Sequence, residues 1–429
     1  MRSLALLLAM ALGATGCSNF IRLDRDLRLS ERSCSVRGQA TPFVPDQGHV
    51  YVAVFRLHDG IVQIVDVVRL APRPGRFAFV LPLDDDYMLV AFQDLNENQR
   101  RDPTEPVWVY GDPSPVPLDE NRISAWIDVR LAKELPPTVK PELVAAFAQA
   151  RGNKSLVDLE TGHDIFVAHG EIANLDAPRF SAEAGSSGLW EPLVFLKANG
   201  TGVYFLEDFD PKRQPVLFVY GASGSPQDFR YFFEHLDRKR YQAWFFLYPS
   251  GMRLATASNV LLGVIDDLAE RYAFEDLEVV AHSMGGLVAR SFVLKDIAHH
   301  GHVKTFVTLS SPWGGVTAAA LGVERSPLVV PSWRDVAAGS EFTKKLFEQS
   351  LSPEVPHCLG FTFRGRRRPG LPTSNDTVVS VESELYPDAQ ADAVFLRGFD
   401  DTHVGVLRTQ QALDFVESCL AQRERGAAR

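Results

Sequence analysis

Positive charge is scarce in this chain. It has 44 Lys and Arg against 54 Asp and Glu, a net charge of −10. Nucleic-acid binding needs a basic face, and no Lys/Arg stripe interleaved with aromatics is present; the basic run Arg364–Arg368 is short and reads as a solvated loop. No HExxH motif and no nucleotide fingerprint occurs, and GNKS at 152–155 lacks the upstream glycine of a phosphate-binding loop. Cysteines number four, none at metal-ligand spacing. Internal repeats and low-complexity tracts are absent. The N-terminal apolar run, Leu4 to Leu12, is too short to span a bilayer. Nucleic-acid, nucleotide and zinc-hydrolase chemistry therefore have no foothold in the sequence.

What is present is globular. A chain of 429 residues, 45% hydrophobic and 23% charged, supports a sizeable core and two or three domains. Residues 1–16 have the form of a signal peptide: Arg2, the apolar run, then small residues up to Cys17. The ending Ala14-Thr15-Gly16-Cys17 resembles the bacterial lipobox, in which the cysteine is acylated and becomes the mature N-terminus. Ser18 after it implies the outer membrane of a bacterial envelope. A cleaved secretory signal with an incidental cysteine is the alternative. Cys34, Cys358 and Cys419 remain, an odd number in an oxidising compartment. Cys358 with Cys419 is one pairing, which sequence alone does not decide.

Residues 17–41 are polar and read as a tether. A β-rich region follows at 42–131, with runs such as HVYVAVFRL, IVQIVDVVRL, RFAFVLPL, YMLVAFQDL and ISAWIDVRL separated by Gly, Pro and Asp. That pattern predicts a small β-sandwich-like domain. Residues 132–189, opening with the linker LPPTVKP, form a mixed segment. From 190 to 425 the pattern changes. LVFLKANGTGVYFLEDF reads as a hairpin, and apolar strands at 215–221, 241–249, 277–283, 303–312, 358–365 and 393–400 alternate with helical stretches. Strand alternating with helix predicts an α/β fold with a mostly parallel sheet and catalytic loops at its carboxyl edge.

LEVVAHSMGGLVARSF, residues 277–292, places a polar serine between a buried strand and a helix. Val279 and Val280 fit the strand, while Leu287, Val288, Phe292 and Val293 recur at helical spacing. Ala281, Gly285 and Gly286 are small where strand and helix must meet. The stretch reads as a nucleophile elbow with Ser283 at its apex. A serine hydroxyl needs a histidine to take its proton and an acid to orient that histidine. His403, in FDDTHVGVL, alone follows the last strand; Asp376, in TSNDTVVSVES, lies after the strand ending near Gly365. Asp400 and Asp401 are nearer His403 in sequence but read as a turn. Two backbone N–H groups should face the developing oxyanion: that of Met284, and that of Ala222 after Gly221.

YGASGSPQDF, AHSMGGLVAR, TLSSPWGG, NDTVVSVES and THVGVL together resemble lipases and esterases of the α/β-hydrolase superfamily. The set is most similar to bacterial lipases and to the GPI inositol-deacylase-like and lecithin–cholesterol acyltransferase-like branches. The resemblance covers 190–425 and departs from it at Tyr220, where many lipases have His, and at Ala281, where Gly is usual. It implies a serine hydrolase acting on carboxylic esters, lipids foremost, with no cofactor needed for catalysis. An acyltransferase using the same acyl-enzyme, or a non-catalytic surface interaction protein, are the alternatives. The insert at about 313–357 reads as a lid, with Trp313, Leu328, Val329 and Trp333 expected at a pocket mouth. In the β-rich region Asp94, Asn96, Asn98, Asp102 and Glu105 fall at calcium-loop spacing. Gln99 stands where such a loop has glycine, and an acidic solvated hairpin accounts for the same residues.

Overall fold

The computed structural model describes residues 13–58, 61–83, 86–98, 101–110, 116, 126–134, 167–351, 353, 355–366 and 371–427, without the side chains of 13–17, 57–58, 61–63 and 422–427. The apolar run Leu4–Leu12, Gln99, LPPTVKP, GNKS and the last two residues of RGRRR lie outside these. The chain divides into two compact units, Met1–Asp26 with Val167–Arg429, and Leu27–Phe166.

The strands run in chain order as β1 (Ser33–Thr41), β2 (His49–His58), β3 (Ile61–Leu70), β4 (Gly75–Pro82), β5 (Asp86–Asp94), β6 (Val107–Tyr110), β7 (Trp126–Arg130), β8 (Val167–Ile172), β9 (Thr201–Phe205), β10 (Gln214–Val219), β11 (Tyr241–Leu247), β12 (Leu277–His282), β13 (Val303–Leu309), β14 (His357–Thr362) and β15 (Ala393–Phe399). The helices are α1 (Gly13–Glu31), α2 (Ala182–Trp190), α3 (Pro192–Asn199), α4 (Arg230–His235), α5 (Leu254–Tyr272), α6 (Met284–His299), α7 (Thr317–Arg325), α8 (Trp333–Val336), α9 (Glu341–Lys345), α10 (Val381–Glu384), α11 (Pro387–Asp392) and α12 (Gln410–Ala427).

The larger unit is built on one eight-stranded sheet of order β15-β14-β13-β12-β10-β11-β9-β8. Strands β10 to β15 are mutually parallel; β9 runs antiparallel to β11, and β8 parallels β9. Every residue of β11 and β12 is buried, which is why they read as continuous apolar runs rather than alternating ones. The chain passes from β10 outward to β11, then crosses back to β12 on the other side of β10. That reversal opens a crevice beyond the carboxyl ends of β10 and β12, where ligands bind in open α/β sheets.

The smaller unit has two sheets, β4-β1-β7 and β3-β2-β5-β6. Val36 and Ala40 of β1, Phe77 and Phe79 of β4, and Val50, Val52 and Val54 of β2 share one core. A sandwich is therefore the right description. Its first strand lies in the stretch expected to be a tether. In SCSVRGQAT the polar residues alternate with small ones, and the burial alternates with them; a strand whose inward side chains are Cys, Val, Gly and Ala carries little apolar signal. The rest of the expected tether is α1.

A second expectation fails for a related reason. The stretch from 190 is not a hairpin: α3 precedes β9. Asp26 of α1 accepts hydrogen bonds from the N–H groups of Leu193 (3.1 Å) and Val194 (2.9 Å). Two of the helix's orphan donors are thus satisfied by a residue far away in sequence, and Pro192 suits the first turn. No local pattern could show that cap. The α/β unit also begins earlier than 190, at β8.

The disulfide left open by the sequence joins Cys358 of β14 to Cys419 of α12, with Cα atoms 6.4 Å apart; Cys34 is free and buried. The bridge closes a long loop (separation 61), so it should stabilise the chain by about 2–4 kcal/mol. The Cys358→Ala/Cys419→Ala variant is expected to melt several degrees lower than the parent protein in calorimetry without reductant. Equal melting temperatures would show that the bridge carries no stability.

Candidate active site

Strand β12 ends at His282 and α6 begins at Met284, leaving Ser283 alone in the turn with φ 55° and ψ −134°. A non-glycine residue at positive φ is strained by roughly 1–3 kcal/mol and persists only where its surroundings impose it. Here they do. The Ser283 N–H donates to the Leu309 carbonyl at 2.9 Å, and Gly286 N–H donates to the Ser283 carbonyl at 2.9 Å. The turn also needs its glycines. A Cβ on Gly285 would lie 2.3 Å from the Tyr220 carbonyl oxygen, and one on Gly221 only 2.6 Å from the Ser283 Cβ. Ala281 is fully buried at the strand end, so alanine serves where the elbow usually has glycine.

The three residues expected to cooperate are brought together. His403 Nε2 lies 2.8 Å from Ser283 Oγ, and His403 Nδ1 is hydrogen-bonded to Asp376 Oδ2. With Nδ1–H directed at the carboxylate, Nε2 presents its lone pair to the serine hydroxyl. Asp376 is fully buried. Its Oδ1 accepts from the N–H groups of Val378 (2.9 Å) and Val379 (2.7 Å), and its Oδ2 from the Thr362 hydroxyl (2.9 Å). Burial alone would raise its pKa, but His403 and those N–H groups outweigh it and hold the carboxyl below the usual carboxylate range. Asp400 accepts from Arg364 and Asp401 from the Thr402 N–H. Neither serves His403, as the turn reading expected.

Several supporting residues gave no signal in sequence. His282 Nε2–H donates to the His403 carbonyl at 2.8 Å, while the His403 N–H donates to the Asp376 carbonyl at 2.9 Å. Burial, then the neighbouring His403, push His282 down to about 3, so it is a neutral donor that fixes the histidine loop. Glu384 is fully buried beside the acid. It accepts the Thr362 N–H at 2.9 Å, and the Thr362 hydroxyl stands between it and Asp376. Burial, then the charge on Asp376, push Glu384 up to about 10. Of two adjacent carboxyls one is ionised and one is neutral. Only the fold after β14 brings them together.

The loop after β10 lies against the serine. Gly224 N–H donates to the Gly221 carbonyl at 3.1 Å, closing a turn around Ala222 and Ser223, and the Ser223 N–H donates to Ser250 Oγ at 2.9 Å. Tyr220 stands where many lipases have histidine, and its work is structural. Its ring stacks on Tyr248 at 4.8 Å, its hydroxyl donates to the Tyr248 carbonyl, and the Tyr248 hydroxyl donates to the Tyr220 carbonyl at 2.7 Å. These bonds hold together the carboxyl ends of β10 and β11, from which the loop springs.

Much of the insert expected to be a lid is built into the core. Trp313, expected at a pocket mouth, is buried against Phe306, Phe347 and His357. Val336, Leu346, Leu351 and Val355 also belong to the core. Leu328, Val329 and Trp333 are half-buried, and α7 buries Ala319 alone. The second half of the insert is therefore part of the core.

The acidic loop of the smaller unit is closed by hydrogen bonds among its own residues. Asp102 Oδ2 accepts from the amides of Asn96 and Asn98, Glu105 accepts the N–H groups of Leu95 and Asp102, and Asp94 Oδ1 accepts that of Asn98. The candidate ligands close the loop on one another. Among the described residues no cluster of His, Cys, Asp or Glu is arranged to hold a metal ion, and no helix is long and apolar enough to cross a membrane.

Residues 250–324, which include the elbow, match the PGAP1-like alpha/beta domain family. No curated protein matches the chain. Similar solved structures include the mature Bacillus licheniformis lipase BlEst2 (17% identity, 50% of this chain and 94% of that one, TM-score 0.41). Aspergillus fumigatus lipase B is similar at 17% identity over 49% of this chain and 54% of its own, TM-score 0.39. A lipase-esterase related protein from Clostridium acetobutylicum is similar at 13% identity over 50% and 97%, TM-score 0.34. The larger unit is an α/β fold on a mostly parallel eight-stranded sheet, and the family match falls within it.

The neutral Glu384 has a consequence for stability. In the unfolded chain a glutamate titrates near its ordinary 4.5, whereas in the fold it holds its proton to about 10. Its contribution is therefore complete below the lower value and is lost as pH rises towards the higher one. Glu384→Gln removes that titration, so the variant's melting temperature should decline less between about pH 5 and 9 than the parent's. Parallel declines would show that Glu384 does not carry a trapped proton.

Proposed function

We propose that this chain is a serine hydrolase that cleaves carboxylic esters of lipids, held at the bacterial envelope by an acyl group on Cys17. The observation that carries the reading is the line Ser283–His403–Asp376, closed by hydrogen bonds at the strained end of β12. His403 Nε2 takes the Ser283 proton as Oγ attacks the ester carbonyl. Asp376 orients the ring and stabilises the imidazolium without itself being protonated. The tetrahedral oxyanion is held by the N–H of Met284, at the positive end of α6, and by that of Ala222. The imidazolium then protonates the leaving alcohol, and a water activated by the same histidine releases the acid and restores the serine.

The lipid preference rests on two features. The sequence up to Cys17 has the form of a lipoprotein signal, and a tethered enzyme meets acyl chains at high local concentration. The outer half of the insert carries exposed apolar area, including Leu321 of α7.

An organophosphonate should label Ser283 alone, read by peptide mass spectrometry, and Ser283→Ala should abolish both labelling and ester hydrolysis. Asp376→Asn should lower kcat by roughly 10⁴ through the wrong histidine tautomer. Labelling at another serine of an active preparation would overturn the assignment, as would an unimpaired Asp376→Asn enzyme. For the anchor, an N-terminal peptide from bacterial membranes should carry acyl chains on Cys17. Cleavage at any other residue would refute it.

A further inference from the structure

The proposed acyl anchor sits at the start of a helix that is clasped to the α/β unit, not on a loose leash. Arg22 Nε donates to Glu191 Oε2 at 2.6 Å, and Arg25 donates to the other oxygen of the same carboxylate. Asp26 caps α3 through Leu193 and Val194. Glu191 and Asp26 are both buried, and Leu23 between the two arginines is fully so. Pulling α1 away would leave the buried Glu191 carboxylate without either of its arginines, so these contacts hold α1 in place.

An aromatic ladder leads away from the clasp. Phe20 meets Trp190 edge-on with centroids 5.6 Å apart, and Trp190 meets Trp333 at 5.8 Å. Trp333 opens α8, which packs on α7 of the insert. Cys17 precedes Phe20 by three residues, about 4.5 Å along a helix. An acyl chain at Cys17 would thus enter the bilayer within one helical turn of this ladder. Half-buried tryptophans with a polar N–H suit the headgroup level of a membrane. Ile21 of α1 and Leu321 of α7 are 70% and 38% exposed.

We infer that α1 is an orienting clasp: it sets the outer half of the insert, α7 and the Trp333 end of α8, against the lipid bilayer. The inference rests on the Cys17 anchor and adds to it a fixed orientation. A flexible leash would supply local concentration alone; the clasp also decides which face meets the lipid.

The test separates anchor from clasp. A Gly/Ser segment of about twenty residues inserted between Ser18 and Asn19 keeps the acyl group and the clasp but uncouples them. Parent and insertion variant are purified from bacterial membranes and reconstituted in phosphatidylethanolamine–phosphatidylglycerol vesicles. A spin label at Leu321→Cys reports immersion, and a short soluble p-nitrophenyl ester is assayed in parallel. The parent should float with the vesicles and its label should be shielded by lipid. In the insertion variant, shielding and hydrolysis of a vesicle-borne ester should fall severalfold while soluble-ester turnover stays unchanged. A variant that floats and matches the parent in shielding and vesicle turnover would overturn the clasp while leaving the anchor standing. A parent that does not float would overturn both.

Discussion

One backbone conformation organises the larger unit: Ser283 at positive φ, held between a buried strand and a buried helix. An unsupported turn of this kind would relax. It cannot relax here, because β12 is flanked on both sides by parallel strands and α6 buries eleven of its sixteen residues. The same geometry fixes what can surround it. Gly221 and Gly285 must lack side chains for the β10 loop and α6 to approach, and the reversal between β10 and β12 places both loops at one sheet edge. The strain at the serine is repaid by packing far from it.

The acid end of the site shows a different constraint, the crowding of charge. Asp376 keeps its charge because two backbone N–H groups, a hydroxyl and a histidine all point at it. Glu384 has the Thr362 N–H but no cation, and lies against that charge. Two ionised carboxyls could not share this pocket. Holding Glu384 neutral leaves Asp376 the sole anion facing His403, so the ring has one charged partner and one orientation. Thr362, with its single hydroxyl proton given to Asp376, accepts in turn from Ser310. The network extends back into the sheet at the end of β13.

What was legible in sequence follows the range of the signals. Most strands of both units were readable because burial on two faces gives unbroken apolar runs, and on one face alternation. Ser283, Asp376 and His403 were readable because each follows a strand in a fixed order. The misread elements depend on partners distant in the chain. Strand β1 looked polar because its inward residues are small; α3 looked like a strand because its cap, Asp26, is far upstream. Trp313 looked like a lid residue because an indole in a loop gives no hint of whether it faces out or packs on Phe306 and His357. His282 and Glu384 have no pattern of their own. Only the folded chain makes them neighbours of the site.

Helix α2 ties these observations together. At its carboxyl end Trp190 receives Phe20 of α1 and leans on Trp333 of the insert. Nearer its amino end Gly185 lies against the loop that carries Ala222: a Cβ there would fall 2.6 Å from the Gly224 carbonyl oxygen. The carbonyl of Gly188 accepts the Gly251 N–H at 2.8 Å, and the adjacent Ser250 hydroxyl receives the Ser223 N–H. Gly251 in turn offers its carbonyl to Ser332 N–H, one residue before α8. One short helix thus touches α1, the insert and the loop beside the serine. Interiors are close-packed and transmit strain, so a displacement of α2 at Trp190 bears on Gly185 and the loop it touches. The position of α1 and the shape of the loop facing Ser283 are therefore parts of one packing arrangement.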